Sequence, residues 1–143
     1  MKVEDVKVYF RQIRKEQNEI NHLREMIEHE ELLLLPKAIT YDKDRVQVSP
    51  EDILAKCAAE ISDINDEMGR SIVKLYHRKA EAESYISQLD DSDEREVLRW
   101  YYLSSTPEGK LLLWDAVAEK MNKEIRTIFR IHGHALRNLS KIM

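Results

Sequence analysis

Long stretches without glycine or proline, with apolar residues at helical spacing, constrain the fold of this chain most strongly. The 143 residues include three Gly and three Pro. That is too few for a many-stranded sandwich, which needs a turn about every 8–12 residues. In residues 3–35 apolar side chains recur mostly three or four positions apart, which predicts one long amphipathic helix that Pro36 ends. Its apolar stripe, which Gln17 interrupts, contains Val3, Val6, Phe10, Ile13, Ile20, Leu23 and Ile27.

A second long helix is predicted from the pair Ser49-Pro50 to about residue 89. Ser49 can accept a hydrogen bond from the free N–H groups of a helix start, and Pro50 suits the first helical position. Gly69 weakens the helix by about 1 kcal/mol relative to Ala, and we expect it to mark a close contact. The apolar stripe of this helix contains Leu54, Cys57, Ile61, Ile64, Met68, Ile72, Leu75, Ala82, Ile86 and Leu89.

The segment between the two helices, residues 36–49, breaks the helical pattern and predicts a connecting loop with some extended residues. The alternation Val46-Gln47-Val48 leaves open that this loop pairs with a partner chain instead of being solvated. Two helices of similar length joined by a short connection predict an antiparallel helical hairpin in residues 1–90. Their narrow apolar stripes favour a coiled-coil-like seam.

Residues 91–143 predict a small second domain of three shorter helices, so the whole chain is predicted to be all-α. Asp91 and Glu94 have the spacing of a capping box at the start of the first helix, which extends to Leu103. The segment 104–109, Ser-Ser-Thr-Pro-Glu-Gly, reads as a loop. Four aromatic residues are expected in the core of this domain, because their neighbours are apolar and no basic residues interleave with them: Trp100, Tyr101, Tyr102 and Trp114.

The last two predicted helices have the features of a helix-turn-helix. One covers about residues 111–121 and stops at Asn122, a residue that tolerates the left-handed conformation. The other covers about residues 124–140. Two Ala residues near the middle of the first would let the helices cross closely, and we expect Gly133 at such a crossing. The apolar face of the last helix contains Ile125, Ile128, Ile131, Ala135, Leu136 and Leu139.

Basic residues concentrate at the end of an otherwise acidic chain. The net charge is −4, with a balance of −5 in residues 1–90 and +1 in residues 91–143. Residues 120–143 hold six basic residues and one acid, so electrostatic steering toward nucleic acid is expected from these 24 residues alone. A plain helical bundle with a solvated basic face fits this composition equally well. If the last helix does enter a major groove, the residues placed to read bases are Arg126, Thr127 and Arg130, and those placed to contact phosphates are Lys123, His134, Arg137 and Lys141.

Several other classes of function lack their sequence features. No Gly-rich phosphate loop, nucleophile motif or carboxylate pair with a pocket is present, so we predict neither an enzyme nor a cofactor. His132 and His134 would point about 200° apart on a helix and cannot chelate one metal ion, so we interpret them as phosphate contacts or plain surface. The single cysteine, Cys57, allows no intramolecular disulfide and is expected to be buried. Without a membrane span or signal peptide, a cytoplasmic protein is expected.

The C-terminal part resembles a known family of transcription proteins. The segment Ile125–Leu139, IRTIFRIHGHALRNL, is similar to the recognition helix of the fourth region of bacterial housekeeping sigma factors, and Asp93–Arg99 resembles the opening of that region. More closely, nearly the full chain resembles small prophage regulators of low-GC Gram-positive bacteria, of the RinA/ArpU type. The features that carry this resemblance are the loop Tyr41–Gln47, the pattern Trp114-x-x-Val117-Ala118-x-x-Met121 and the run Arg130-Ile131-His132-Gly133-x-Ala135-Leu136.

The resemblance implies a sequence-specific DNA-binding protein that regulates phage or prophage genes as an activator acting with RNA polymerase. It places Arg126 and Arg130 at sigma positions that face DNA bases. Sigma factors carry Arg where this chain has Ile125 and Phe129, so their promoter specificity is not carried over. A homodimer is expected, because helix-turn-helix proteins commonly bind paired half-sites. The alternative is a helical hairpin that binds another protein, beside a small domain that does not read DNA.

Overall fold

The computed structural model describes residues 1–33 and 50–143, whose secondary-structure elements are all helices joined by short loops. The predicted loop 36–49 lies outside the described residues. Within the described ranges no strand forms, although Ser105 and Leu111 make one isolated antiparallel bridge. None of the described helices has the length and apolar character needed to cross a membrane. The helices are α1 (Val3–Leu33), α2 (Pro50–Ile86), α3 (Ser92–Leu98), a π-helical turn (Arg99–Leu103), α4 (Trp114–Met121) and α5 (Ile125–Ile142).

The chain divides into two compact units. The first unit contains residues 1–18 and 74–143, and the second contains residues 19–73. This grouping follows contacts in space and not order along the chain, and the predicted domain boundary at residue 90 stays a prediction.

In the first unit, α1 and α2 pair side by side in opposite directions. Arg78 on α2 forms an ion pair with Glu16 on α1, with Nε and Oε1 2.7 Å apart. Nearer the start of α1, the rings of Tyr9 and Tyr85 lie 6.3 Å apart between centroids. Since residue numbers fall along α2 as they rise along α1, the pairing is antiparallel, as predicted. Apolar side chains buried in this part are Val6, Phe10, Ile13, Leu75, Ala82 and Ile86.

The polar interruption of the first stripe is accommodated by a hydrogen bond. Gln17 is buried, and its Oε1 accepts a hydrogen bond from Nζ of Lys79 at 3.2 Å. Burial lowers the pKa of Lys79, because an apolar environment disfavours the charged amine. The buried face of α1 therefore continues through position 17, where a hydrogen-bonded polar pair takes the place of an apolar side chain.

The second unit buries only part of the predicted stripe. Ile20, Ile27 and Cys57 are buried, whereas Leu54 and Ile72, also members of the predicted seam, are 38% and 44% exposed. Burial, followed by the neighbouring Glu30, raises the pKa of the Cys57 thiol, which makes it a poor nucleophile.

The expected close contact at Gly69 is wrong. A Cβ built there would meet no described atom within 4 Å, so this glycine is not needed for close packing against the described part of the chain.

The capping-box prediction for α3 is half correct. Asp91 is the N-cap, and its Oδ1 accepts a hydrogen bond from the Asp93 N–H at 2.8 Å. Glu94 does not reach back to the cap. Its carboxylate instead accepts hydrogen bonds from Nδ2 of Asn138 on α5, at 2.9 and 3.0 Å. This buried carboxylate, 6% exposed, therefore fastens α3 to α5.

The shorter C-terminal helices pack around one apolar cluster. Its buried members are Val97, Leu112, Val117, Ala118 and Ile128, and Trp100, Tyr101 and Trp114 pack against it. Tyr102 is also buried, so the expectation that these aromatic residues belong to the core is confirmed. At the other end of α5, the N-terminal amine of Met1 donates to the carbonyl oxygens of Ser140 and Met143.

Gly133 in α5 does not mark a helix crossing, and that expectation is wrong. A Cβ built on Gly133 would meet, among described atoms outside the backbone of its own helix, only Nη2 of Arg137, at 3.7 Å. Arg137 belongs to the same helix and has a flexible side chain, so a methyl group at residue 133 fits without displacing another helix.

Candidate nucleic-acid interface

A tight turn leads from α4 into α5. Asn122 adopts the left-handed conformation, with φ 53° and ψ 46°, as its residue type predicts. The N–H of Lys123 then donates to the carbonyl oxygen of Ala118 at 3.0 Å. Glu124 is extended, and α5 begins at Ile125. Three residues, 122–124, therefore separate the two helices, one more than the predicted bounds of about 111–121 and 124–140 leave, and α4 begins only at Trp114.

The first turns of α5 present two arginines to solvent. Arg126 and Arg130 are exposed on the side of the helix opposite the buried Ile128, and Thr127 is partly buried beside them. Within residues 1–33 and 50–143, neither arginine forms a hydrogen bond or an ion pair. Since residues four apart lie one helical turn apart on the same face, the two guanidinium groups form an adjacent pair of free donors.

The candidate phosphate-binding residues differ in how free they are. His134, Arg137 and Lys141 are exposed along the rest of α5. Nε of Arg137 donates to the Gly133 carbonyl oxygen at 3.3 Å. Lys123 instead forms an ion pair with Asp93, with Nζ and Oδ2 3.5 Å apart. That carboxylate would have to be displaced or screened before Lys123 could contact a phosphate.

His132 is not a plain surface residue, and that part of the interpretation is wrong. Its partly buried ring lies 2.7 Å from the hydroxyl of Tyr102, measured from Nε2 to Oη. Burial, followed by the positive charges of Lys7 and Arg11, lowers the pKa of His132 from 6.5 to about 4. The imidazole is therefore neutral near pH 7 and belongs to the packed interior of the first unit.

Arg14 of α1 is a functional candidate that the sequence patterns missed. Its guanidinium carbon lies 3.8 Å from the centroid of the Tyr101 ring, and Nη1 donates to the carbonyl oxygens of Tyr101 and Leu112. Trp114 stacks on the same tyrosine ring, with centroids 3.6 Å apart and planes 9° apart. Because both groups lie so close to one centroid, they occupy opposite faces of Tyr101. No local pattern could reveal this contact, since Arg14 and Tyr101 are 87 positions apart.

The two compact units differ more in net charge than residues 1–90 and 91–143 do. The sequence of the first unit holds 17 basic and 14 acidic residues, a balance of +3, and that of the second holds 6 basic and 13 acidic, a balance of −7. The exposed arginines of α5 and the basic residues of α1 both belong to the positive unit. The first unit is therefore the positive part of the chain, and the second is the negative part.

Comparisons with known proteins assign no family to this arrangement. No protein-family model matches the chain, no curated protein is significantly similar to it, and no solved structure matches its fold. Across residues 1–33 and 50–143 no group of three or more His, Cys, Asp or Glu side chains is placed to hold a metal ion.

Proposed function

We propose that this protein is a sequence-specific DNA-binding regulator of transcription, with α5 as the helix that enters the major groove. The observation that carries the proposal is the free, exposed pair Arg126 and Arg130, one turn apart, directly after the tight turn from α4. Arginine donates two hydrogen bonds to the O6 and N7 atoms of guanine, and this is the commonest specific contact in the major groove.

The packing of α5 supports this proposal, because a helix that reads bases must be held at a fixed rotation. The side of α5 facing the unit is buried at Ile128, Leu136 and Leu139. The hydrogen bonds between Asn138 and the buried carboxylate of Glu94 add a polar anchor. Together these contacts fix which face of the helix is exposed, and that face carries the arginines.

The remaining exposed polar side chains of α5 fit the second task of a DNA-binding surface, which is to hold the DNA backbone. His134, Arg137 and Lys141 follow the arginine pair along the outer side of the helix. Phosphate contacts of this kind fix register without reading sequence. We assign Lys123 a smaller part in the proposal, because Asp93 already compensates its charge.

The regulatory part of the proposal rests on the resemblance to prophage regulators of the RinA/ArpU type. It comprises control of phage genes, activation together with RNA polymerase, and binding as a homodimer. Four exposed apolar side chains in the second unit support a dimer, because a second chain could bury them. Two belong to the predicted apolar stripe of α2 and two are their neighbours in the sequence: Leu54, Ile72, Ile53 and Val73.

The test is selection of bound duplexes from a random pool at low salt, followed by affinity measurements on the enriched sequence. A helix-turn-helix reader is expected to enrich one motif and to lose about 10³-fold in affinity between about 50 and 200 mM salt if it makes about six phosphate contacts. Arg126→Ala and Arg130→Ala should each weaken binding by about 1–3 kcal/mol and relax the preference at one base pair. Arg70→Ala is the matched control, since Arg70 is exposed in the second unit and should not affect binding.

Failure to enrich any motif at low salt would refute DNA reading. The alternative, a hairpin that binds another protein while the small domain does not read DNA, is favoured by the same uncovered apolar residues of α2. In that case substitutions at Ile72 and Val73 would remove partner binding, and substitutions at Arg126 and Arg130 would leave it unchanged.

A further inference from the structure

A cavity of about 340 Å³ lies within the first unit, away from the arginine pair of α5. Its size is at the lower end of the range for small-molecule sites, about 300–1,000 Å³. Its lining includes three cationic side chains of α1 and, besides Tyr102, three rings from the C-terminal segment: Arg11, Arg14, Lys15, Tyr101, Trp114 and His132. Asn18 of α1 also lines it. The hydroxyl of Tyr102, which also lines the cavity, is taken up by its hydrogen bond to His132.

The rings of the cavity form a rigid wall. Trp114 is stacked on Tyr101, and the edge of the His132 ring meets Trp114 with centroids 4.7 Å apart. Arg14 closes the far face of Tyr101 and is held by two backbone carbonyl oxygens. Since Arg14 and Trp114 cover the two faces of Tyr101, only the edge of that ring is left for a ligand, and Trp114 offers the larger surface. These groups brace one another, so a planar ligand can contact Trp114 without rearranging them.

The cationic residues of the cavity lining are uncompensated within the described part of the chain. Arg11 and Lys15 are exposed and lie four positions apart, on one face of α1. Neither forms an ion pair with any residue of the described ranges, and none of the described carboxylates lines the cavity. The lowered pKa of His132, to which Arg11 contributes, is consistent with a positive potential at this place. Two free cations beside a hydrophobic wall suit an anion that carries an apolar ring.

We propose that this cavity binds a small phosphorylated aromatic ligand of the size of a nucleoside monophosphate. The phosphate contacts Arg11 and Lys15, and the base lies against Trp114, whose ring lines the cavity. Arginine pairs with phosphate through two parallel hydrogen bonds, and a neighbouring ammonium adds charge to match a dianion. This site does not depend on DNA reading by α5, since neither Arg126 nor Arg130 lines it.

The experiment is calorimetric titration of the full chain with adenosine 5′-monophosphate, adenosine and inorganic phosphate. The monophosphate is expected to bind at least about tenfold more tightly than either fragment, since each fragment lacks one half of the contacts; tenfold corresponds to about 1.4 kcal/mol. In the Trp100→Phe variant, Trp114 is the sole tryptophan, so its emission should change on binding. Inorganic phosphate binding as tightly as the nucleotide would show an adventitious ion only and overturn the proposal.

Variants at the mouth of the cavity identify the phosphate contact. The double variant Arg11→Gln/Lys15→Gln should weaken monophosphate binding at least about tenfold and leave adenosine binding unchanged. Both residues are exposed, so the fold should persist, which circular dichroism checks. Lys120→Gln is the control, because Lys120 lies near Trp100 and not at the cavity. Equal affinity of the double variant and the control would refute the assignment.

A competition experiment between the monophosphate and a DNA duplex shows whether the cavity binds a free nucleotide or the phosphate backbone of DNA. If a DNA duplex displaces the monophosphate, and the double variant loses duplex binding, the positive mouth serves the DNA backbone and the proposal of a small ligand fails. If the monophosphate and the duplex bind together, the cavity is a separate ligand site. Arg126→Ala distinguishes failure of this proposal from failure of DNA reading, since it should affect duplex binding alone.

Discussion

His132 is expected to make this protein less stable at acidic pH, in addition to any effect of the carboxylates. The folded state holds the pKa of His132 at about 4 against 6.5 in the unfolded chain, chiefly by burial. The unfolded chain therefore takes up the proton first as the pH falls. The contribution of His132 to stability is fully present above about pH 6.5, decreases as the pH falls toward about 4, and then levels off.

The size of the effect follows from the interval between the two pKa values. Over that whole interval, the lowered pKa of His132 reduces the free energy of unfolding by about 3 kcal/mol. Between about pH 7.5 and pH 5 the reduction is about 2 kcal/mol. Because the ring is only partly buried, solvent screens some of this, so we expect about 1–2 kcal/mol between those two pH values. For a domain with stability of about 5–15 kcal/mol, that loss is easily measured.

The assay is urea unfolding of wild type and His132→Gln at both pH values, followed by circular dichroism. The Gln variant does not titrate, so the wild type should lose about 1–2 kcal/mol more than the variant on acidification. Comparing the two differences removes the contribution of the carboxylates that both proteins share. His134→Gln is the control, since His134 is exposed on the same helix and should behave as wild type. Equal losses for wild type and His132→Gln would refute the burial of a neutral imidazole against Tyr102.

Three further substitutions test the packing around α5 by urea unfolding near pH 7. Ile128→Ala should cost about 2–5 kcal/mol, because Ile128 is fully buried and its loss leaves a cavity; a cost below about 1 kcal/mol would contradict the described core. Asn122→Ala should cost about 1–2 kcal/mol, because φ is 53° there and Ala disfavours this region, whereas Asn122→Gly should be nearly neutral. Glu94→Ala should cost about 1–3 kcal/mol by leaving the amide of Asn138 unpaired, and equal stability of Glu94→Ala and wild type would argue against that bond.

Local chemistry in the sequence was enough to predict the elements of the fold and the outer face of α5. The spacing of apolar residues reports which side of a helix is buried, so Ile128 was assigned inward and Arg126 outward correctly. The left-handed Asn122 was equally predictable, because few residues tolerate that conformation. The same patterns overestimated the seam of the second unit. Leu54 and Ile72 have the correct spacing, but spacing carries no information on whether a partner helix covers the position.

Contacts between distant segments could not be predicted, since periodicity does not say what lies against a face. Tyr101 and Trp114 are predicted to lie in the core, in part because no basic residues interleave with them in the sequence. In the structure Arg14 lies on the Tyr101 ring from 87 positions away. His132 was misassigned for the same reason: Tyr102, its hydrogen-bond partner, lies 30 positions upstream. Both errors concern the cavity, so the binding site proposed there had no signal in the sequence.

The fold also changes what the charge distribution implies for an anionic partner. In chain order, an acidic body of −5 precedes a nearly neutral C-terminal part of +1, so steering was expected from the last 24 residues alone. In space, residues 1–18 join the C-terminal helices, and this unit carries +3 while residues 19–73 carry −7. Since exposed charges act over about a Debye length, about 10 Å at 0.1 M salt, the charges of the same compact unit matter most to a bound anion. On the two proposals above, Arg11 and Lys15 should therefore raise the rate at which DNA or a nucleotide associates, so steering is not confined to the last 24 residues.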